Sequence, residues 1–209
     1  MSMDQEPKVV YWLDDNLYLN ITNRCSNNCW FCFRNFKQGV GGFNLKLREE
    51  PTLAEVVHEL QAALNLRNWK EVVFCGFGEP TARLDVLLEV TRWIRSHVGT
   101  AAVRVNTNGH AYALNPNRDV VRELKTAGVD KVSVSLNGWD EETYGANCRP
   151  EFEGAFGIVI HFVSKAVEAS LQVEISAVRM PEVDIEKVQK IAKSMKVPLR
   201  IREYVPCFW

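Results

Sequence analysis

Several things that would settle the class of a chain quickly are missing from this one. The opening stretch, MSMDQEPKVVYW, has neither the basic start nor the apolar core of a signal peptide. No apolar run is long enough to span a bilayer, which argues against a membrane protein. Charge is balanced, with 25 Lys and Arg against 26 Asp and Glu, so there is no global basic footprint for nucleic acid. Neither a composition shift nor a long linker divides the 209 residues, a length that suits one well-buried domain spanning 1–209. Of the six cysteines, Cys75, Cys148 and Cys207 stand alone, so a disulfide framework is excluded. Reduced thiols without an export signal point to the cytoplasm.

What is present is a cluster of the remaining three cysteines. Cys25-Ser-Asn-Asn-Cys29-Trp-Phe-Cys32 has the spacing C-x3-C-x2-C and directly follows the alternating run Leu17-Tyr-Leu-Asn-Ile21. Three soft thiolates in one short loop suit iron–sulfur or zinc chemistry and suit magnesium or calcium poorly. A structural zinc or an ordinary iron–sulfur cluster takes four protein ligands. Three ligands leave one metal position for something that is not protein, unless Cys75 or a histidine completes a zinc site.

The rest of the chain alternates. The glycine-rich Lys37–Phe43 reads as an exposed loop beside the cysteines. Thr52 and Glu55 form a capping box that opens a helix to about Leu66, with Val56, Leu60 and Leu64 on one face. Strands are expected at Leu17–Ile21, Glu71–Cys75, Ala101–Val105, Val132–Leu136, Leu171–Val178 and Leu199–Val205. Between them lie helices at Leu84–Val98, Asp119–Ala127, Phe152–Ala169 and Asp184–Met195, the second closed by Gly128. Six strands alternating with five helices imply a parallel sheet. It is either an incompletely closed relative of the eight-unit barrel or an open doubly wound sheet. Both bind ligands at the carboxyl ends of the strands, where Cys25, Gly76, Asn106 and Asn137 fall.

Gly76-Phe-Gly-Glu-Pro80 follows the second of these strands. Its glycines allow a close backbone approach and unusual dihedrals, and its proline ends strand pairing. C-x3-C-x2-C with an aromatic before the last cysteine, followed by G-x-G-E-P, resembles the radical S-adenosylmethionine superfamily. The resemblance implies a partial (β/α)6 barrel as a minimal core without a C-terminal cluster extension. It further implies a [4Fe–4S] cluster on Cys25, Cys29 and Cys32, with S-adenosylmethionine at the open iron. Phe31 would then pack near the adenine, and the backbone of Gly76, Phe77, Gly78 and Glu79 would take the methionyl ammonium. The activity implied is reductive cleavage of S-adenosylmethionine to a 5′-deoxyadenosyl radical that abstracts hydrogen from a substrate.

Asn106-Thr-Asn108-Gly109 resembles the Asp-Thr-Asn-Gly of glycyl-radical-enzyme activases, with Asn in place of the acid. Ser135 and Asn137 stand where those activases carry Asp-x-Lys for the ribose and carboxylate of the cofactor. Both are neutral here, which argues against an activase and leaves Arg179 as the candidate cation for the carboxylate. The wording of Asn16–Cys25, Arg34–Phe36, Val40–Phe43, Phe74–Thr81 and Pro181–Asp184 is similar to short radical S-adenosylmethionine proteins associated with TatD-type nucleases. That similarity hints at nucleic-acid or nucleotide metabolism, with a small-molecule or nucleotide substrate and a TatD-type nuclease as an associated protein. Alternatives are an enzyme like 7-carboxy-7-deazaguanine synthase and a non-catalytic zinc protein.

The basic residues Arg24, Arg34, Lys37, Lys46 and Arg48 around the loop would suit an acidic flavodoxin or ferredoxin as electron donor, or an anionic substrate. Of the histidines, His110 alone is placed to reach the rim. A homodimer is compatible with the sequence.

Overall fold

The computed structural model describes residues 6–98 and 101–204. Cys207, the terminal Phe208-Trp209 and the final residue of the expected last strand, Val205, lie outside them. A hairpin opens the fold: β1 (Val10–Leu13) runs antiparallel to β2 (Asn16–Leu19), turning at Asp14-Asp15 with Asp14 at φ 51°. The glycine-rich stretch is a second, small hairpin, β3 (Gly39–Val40) with β4 (Phe43–Asn44). Gly41 and Gly42 form its two-residue turn at φ 57° and 83°, dihedrals that favour glycine.

From there helix and strand alternate. In order come α1 (Leu53–Leu64), β5 (Glu71–Phe74), α2 (Leu84–His97), β6 (Ala102–Thr107), α3 (Ala111–Leu114) and α4 (Val120–Ala127). Then follow β7 (Lys131–Ser135), α5 (Glu141–Cys148), α6 (Ala155–Glu168), β8 (Gln172–Arg179), α7 (Ile185–Ser194) and β9 (Leu199–Glu203). The start signals work as read. Thr52 and Glu55 close a reciprocal capping box, Asp119 and Asp184 cap the amides of Arg122 and Lys187, and Gly128 ends α4 at φ 110°.

The large sheet has the order β1-β2-β5-β6-β7-β8-β9, and every pair after the first is parallel. The order never reverses. Successive right-handed crossovers therefore put every helix on the same face, which rules out a doubly wound sheet and leaves the other face open. The twisted sheet rolls into a half-barrel around that open face. Side chains alternate accordingly. Val103, Val105, Val132, Val134 and Ile175 point outward into one core with Leu60, Leu124, Phe162 and Val188 of the helices. The intervening residues point into the lumen.

Two helices were not expected. α3 is a single short turn. α5 begins at a readable cap, where Asp140 accepts from the Thr143 amide, but it carries no apolar stripe: it buries Tyr144, Asn147 and Cys148. α6 starts at Ala155, after Gly154 at φ 64°, and is shorter than the Phe152–Ala169 helix expected.

Candidate functional site

Beyond the end of β2 the chain keeps running beside the segment that follows β5. Cys75 N donates to Leu19 O at 3.1 Å, Gly78 N to Thr22 O at 2.9 Å and Glu79 N to Arg24 O at 2.7 Å. Buried Asn20 ties three segments together. Its side chain donates to the carbonyls of Lys8 and Leu45 and accepts from Phe77 N at 2.8 Å. This close approach explains the glycines. A Cβ on Gly76 would strike the Asn20 side chain, and one on Gly78 would strike the Arg24 carbonyl oxygen and lie 2.7 Å from Asn23 C. Neither has a positive φ. The pair is glycine to make room for the neighbouring chain and not, as the sequence reading had it, for unusual dihedrals.

The amides of Gly78 and Glu79 are therefore spent inward, so this turn offers a ligand carbonyl oxygens. Phe77 packs edge-on to Phe33 with ring centroids 5.7 Å apart, and the Arg34 guanidinium lies over it at 5.7 Å. The Glu79 side chain is only 3% exposed and serves the wall itself. It accepts from Thr81 N and Oγ1, from Thr107 Oγ1 at 2.8 Å and from Asn108 N at 2.7 Å, fastening the rim of β5 to that of β6. Burial raises its pKa, while the four donors favour the acceptor-only carboxylate.

The cysteine loop rests on α5. Asn28 N donates to Cys148 O at 3.0 Å, Trp30 N to Asn147 O at 3.4 Å, and Trp30 Nε1 to Asn147 Oδ1 at 3.3 Å. Beneath it runs a buried polar chain. Asn108 Nδ2 donates to Ser26 Oγ at 2.9 Å, which leaves the Ser26 hydroxyl proton for His110 Nδ1 at 3.0 Å. His110 Nε2 then donates to Tyr144 OH at 3.1 Å, and Asn27 Nδ2 donates to the same oxygen at 3.1 Å. His110 does reach the rim, but inside the wall at 0% exposure, where burial lowers its pKa to about 4 and keeps the ring neutral. Ser26, Asn27, Tyr144 and Asn147 are site residues that the sequence reading missed. The Asp140 cap was the only local signal for them.

Cys25, Cys29 and Cys32 are all partly accessible and free of disulfides. Burial, followed by the Glu79 charge, pushes the Cys25 thiol up to about 12. The Cys29 thiol hydrogen-bonds to Cys148, and that bond together with burial raises its pKa further. Cys148 is thus isolated in sequence but not in space. Two groups favour negative charge on the sulfurs. Asn108 Nδ2 lies 3.9 Å from Cys25 Sγ, and the Arg34 side chain hydrogen-bonds to Cys32 while donating to the Asn23 and Asn27 carbonyls. Among the described residues no three His, Cys, Asp or Glu converge as a single ion requires.

The other expected cofactor contacts divide. The Ser135 hydroxyl has no hydrogen-bond partner among the described residues, and Asn106 Oδ1 is buried without one, while the Asn106 side chain hydrogen-bonds to the Cys75 thiol just past the end of β5. Phe31 sits at the loop, edge-on to Trp30 at 5.6 Å. Asn108 and Asn137 are committed to the wall: Asn108 Oδ1 accepts from His110 N, and Asn137 Oδ1 accepts from Val178 N at 2.8 Å. Arg179 is a correction. It is paired with Glu203 at 3.0 Å, both well exposed, and strand parity puts it on the face away from the lumen. The basic surface is also smaller than expected, because Arg24 is paired with Glu50 and Arg34 is turned into the loop.

Comparison with known proteins agrees with this geometry. The sequence model of the Radical SAM superfamily matches residues 19–195. A probable GTP 3′,8-cyclase of Thermoplasma volcanium is 26% identical over 90% of this chain and 53% of its own length. One of Methanococcus aeolicus is 30% identical over 91% of this chain and 60% of its own. The chain thus spans little more than half of these relatives. Streptococcus suis SuiB, solved bound to S-adenosylmethionine, is 18% identical and superposes with a TM-score of 0.67 over 91% of this chain and 41% of that one, a likeness of fold. No helix among the described residues is long and apolar enough to cross a membrane.

Proposed function

Because this chain belongs to the Radical SAM superfamily, we propose that it is a radical S-adenosylmethionine enzyme working through one [4Fe–4S] cluster on Cys25, Cys29 and Cys32. The observation that carries the reading is the loop itself. Three thiols free of disulfides share it, Cys25 beside the Asn108 amide and Cys32 beside the Arg34 guanidinium, and no tight one-ion site exists among the described residues. A cluster spreads its ligands over separate irons, whereas zinc draws all of its ligands to about 2.0–2.3 Å from one point. The set of three cysteine thiols therefore fits a cluster that keeps one iron for a ligand that is not protein. When bound, the cluster and S-adenosylmethionine together supply reductive cleavage of a carbon–sulfur bond and a 5′-deoxyadenosyl radical for hydrogen abstraction.

The chain's own part is placement. With the thiol pKa values of Cys25 and Cys29 raised in the free protein, these two would give up their protons only to metal, and Arg34 would then offset part of the thiolate charge. Cys29 would give up its Cys148 partner on loading. The carbonyls of the Gly76–Gly78 turn would accept from the methionyl ammonium, Asn106 and Ser135 would hold the ribose, and Phe31 would lie against the adenine. The half-barrel wall would screen the reacting carbon from water on its closed side. Exposed Lys37, Lys46 and Arg48 are where an acidic flavodoxin or ferredoxin would dock.

The probable activity of the relatives, GTP cyclisation, supports a nucleotide as substrate, as does the wording shared with TatD-associated proteins. Anaerobic reconstitution tests the reading. About four irons and four sulfides per chain, with 5′-deoxyadenosine released under reduction, is the expected result. Colourless protein holding one tight zinc overturns it. Consumption of the carboxypterin substrate of 7-carboxy-7-deazaguanine synthase would instead identify that activity.

A further inference from the structure

The lumen of the half-barrel is lined mainly by polar and charged side chains. Along its inner face stand four cations, Arg104, Lys131, Arg200 and Arg202, against two carboxylates, Glu71 and Glu174. The carboxylates are already taken. Glu71 pairs with Arg104 at 2.9 Å, while Glu174 is shared between Lys131 at 3.3 Å and Arg200 at 3.8 Å and also accepts from Ser133 at 2.8 Å. Burial pushes the Glu174 pKa up, but Ser133 and the two cations hold it below the ordinary value.

Two features remain unbalanced. Arg104 is 4% exposed and its Nε has no hydrogen-bond partner. Arg202, at the rim of β9, has no ion-pair or hydrogen-bond partner among the described residues. It is exposed to solvent at the lumen edge, with Cys75, Cys29 and Cys32 among its neighbours. At Arg104 a buried guanidinium N–H without an acceptor is costly unless one arrives. Concave walls of one sign also concentrate counter-ions.

We propose that the molecule lying across from S-adenosylmethionine carries an oxyanion group, phosphate or carboxylate, received by Arg202 with Arg200, and with Arg104 behind them. Its standing as substrate rests on the enzymatic reading above; its binding does not. Arg202 and Arg200 are neighbours on one face of β9, so a group with several oxygens can bridge them. The edge position of β9 puts both at the open side of the half-barrel, where a ligand enters without displacing a helix.

Calorimetry on the anaerobically reconstituted full chain tests this with pyrophosphate and tricarballylate as probes. Saturable binding of either is expected, and whichever binds identifies the phosphate or carboxylate source. Arg202→Gln should weaken it about tenfold or more, and Arg200→Gln should weaken it less, since that side chain keeps Glu174. Lys190→Gln, an exposed lysine of α7 on the far side of the sheet, should leave it unchanged. S-adenosylmethionine affinity is measured in the same variants and should hold in Arg202→Gln. Absence of saturable anion binding overturns the proposal, as does an equal loss in Lys190→Gln. Loss of S-adenosylmethionine affinity alone, or in equal measure with the probe, assigns Arg202 to the cofactor carboxylate and overturns it too. Arg202-dependent anion binding without 5′-deoxyadenosine release would leave the binding site standing while the enzymatic reading fails.

Discussion

The two faces of the large sheet are built from the same strands and share almost nothing else. On β7, Val132 and Val134 enter the core beneath the helices, while Lys131, Ser133 and Ser135 alternate with them on the lumen side. On β6, Val103 and Val105 alternate with Arg104 and Asn106. Period-two geometry thus separates the residues that hold the fold from those offered to a ligand, one position apart along the chain. Substitutions on the two faces should have separable consequences, and the cysteine loop should behave as part of the lumen side.

The largest effect expected is on metal content. Serine at Cys25, Cys29 or Cys32 should abolish nearly all cluster iron after reconstitution without unfolding the chain, whereas Cys148→Ala should retain it. Equal iron loss in Cys148→Ala would make that thiol a ligand and end the three-ligand reading.

The outer face should answer in stability instead. Phe162→Ala, in a fully buried position under the sheet, should cost about 3–5 kcal/mol by denaturant unfolding while leaving iron loading of the folded protein intact. His110 gives a pH signature for the rim. Its folded pKa of about 4 lies below the ordinary 6.5, so as pH falls through that window the unfolded chain takes up a proton that the folded chain refuses. Its contribution is complete above the upper value and is lost on the way down, by at most about 3 kcal/mol. His110→Gln should flatten the dependence, and unfolding curves at several pH values check it.

Smaller effects sharpen the contrast within the polar side. Glu79→Gln sets a carboxamide NH2 donor among four donors and should cost about 2 kcal/mol, loosening the wall behind the loop. Ser133→Ala removes one hydrogen bond to Glu174, which keeps Lys131 and Arg200, and should cost about 1 kcal/mol or less. A larger loss there than at Glu79 would mean that the lumen residues support the fold after all.

Much of this was legible before the structure. Six parallel strands, the five crossover helices and the cysteine loop follow from apolar periodicity, caps and spacing, all of which are local. β1 escaped because Val10–Leu13 is short and its partner adjoins it across a two-residue turn, so the pair read as one approach to the loop. α5 escaped because it buries only Tyr144, Asn147 and Cys148, with Asn147 serving other segments, so no apolar stripe announced it. Arg179 was placed by its position after a strand, and strand parity turned it outward.

The sequence by itself determined that three thiols would share one loop at the carboxyl end of a parallel sheet, because spacing and strand periodicity are properties of neighbouring residues. Only the tertiary structure decided which rim groups remain for a ligand. Ser26 and His110 are 84 residues apart, and Asn27 and Tyr144 are 117 apart. A polar side chain meets the partner that folding brings to it, and no local pattern records whether that partner consumes it, as with Glu79 and Asn137, or leaves it bare, as with Arg202.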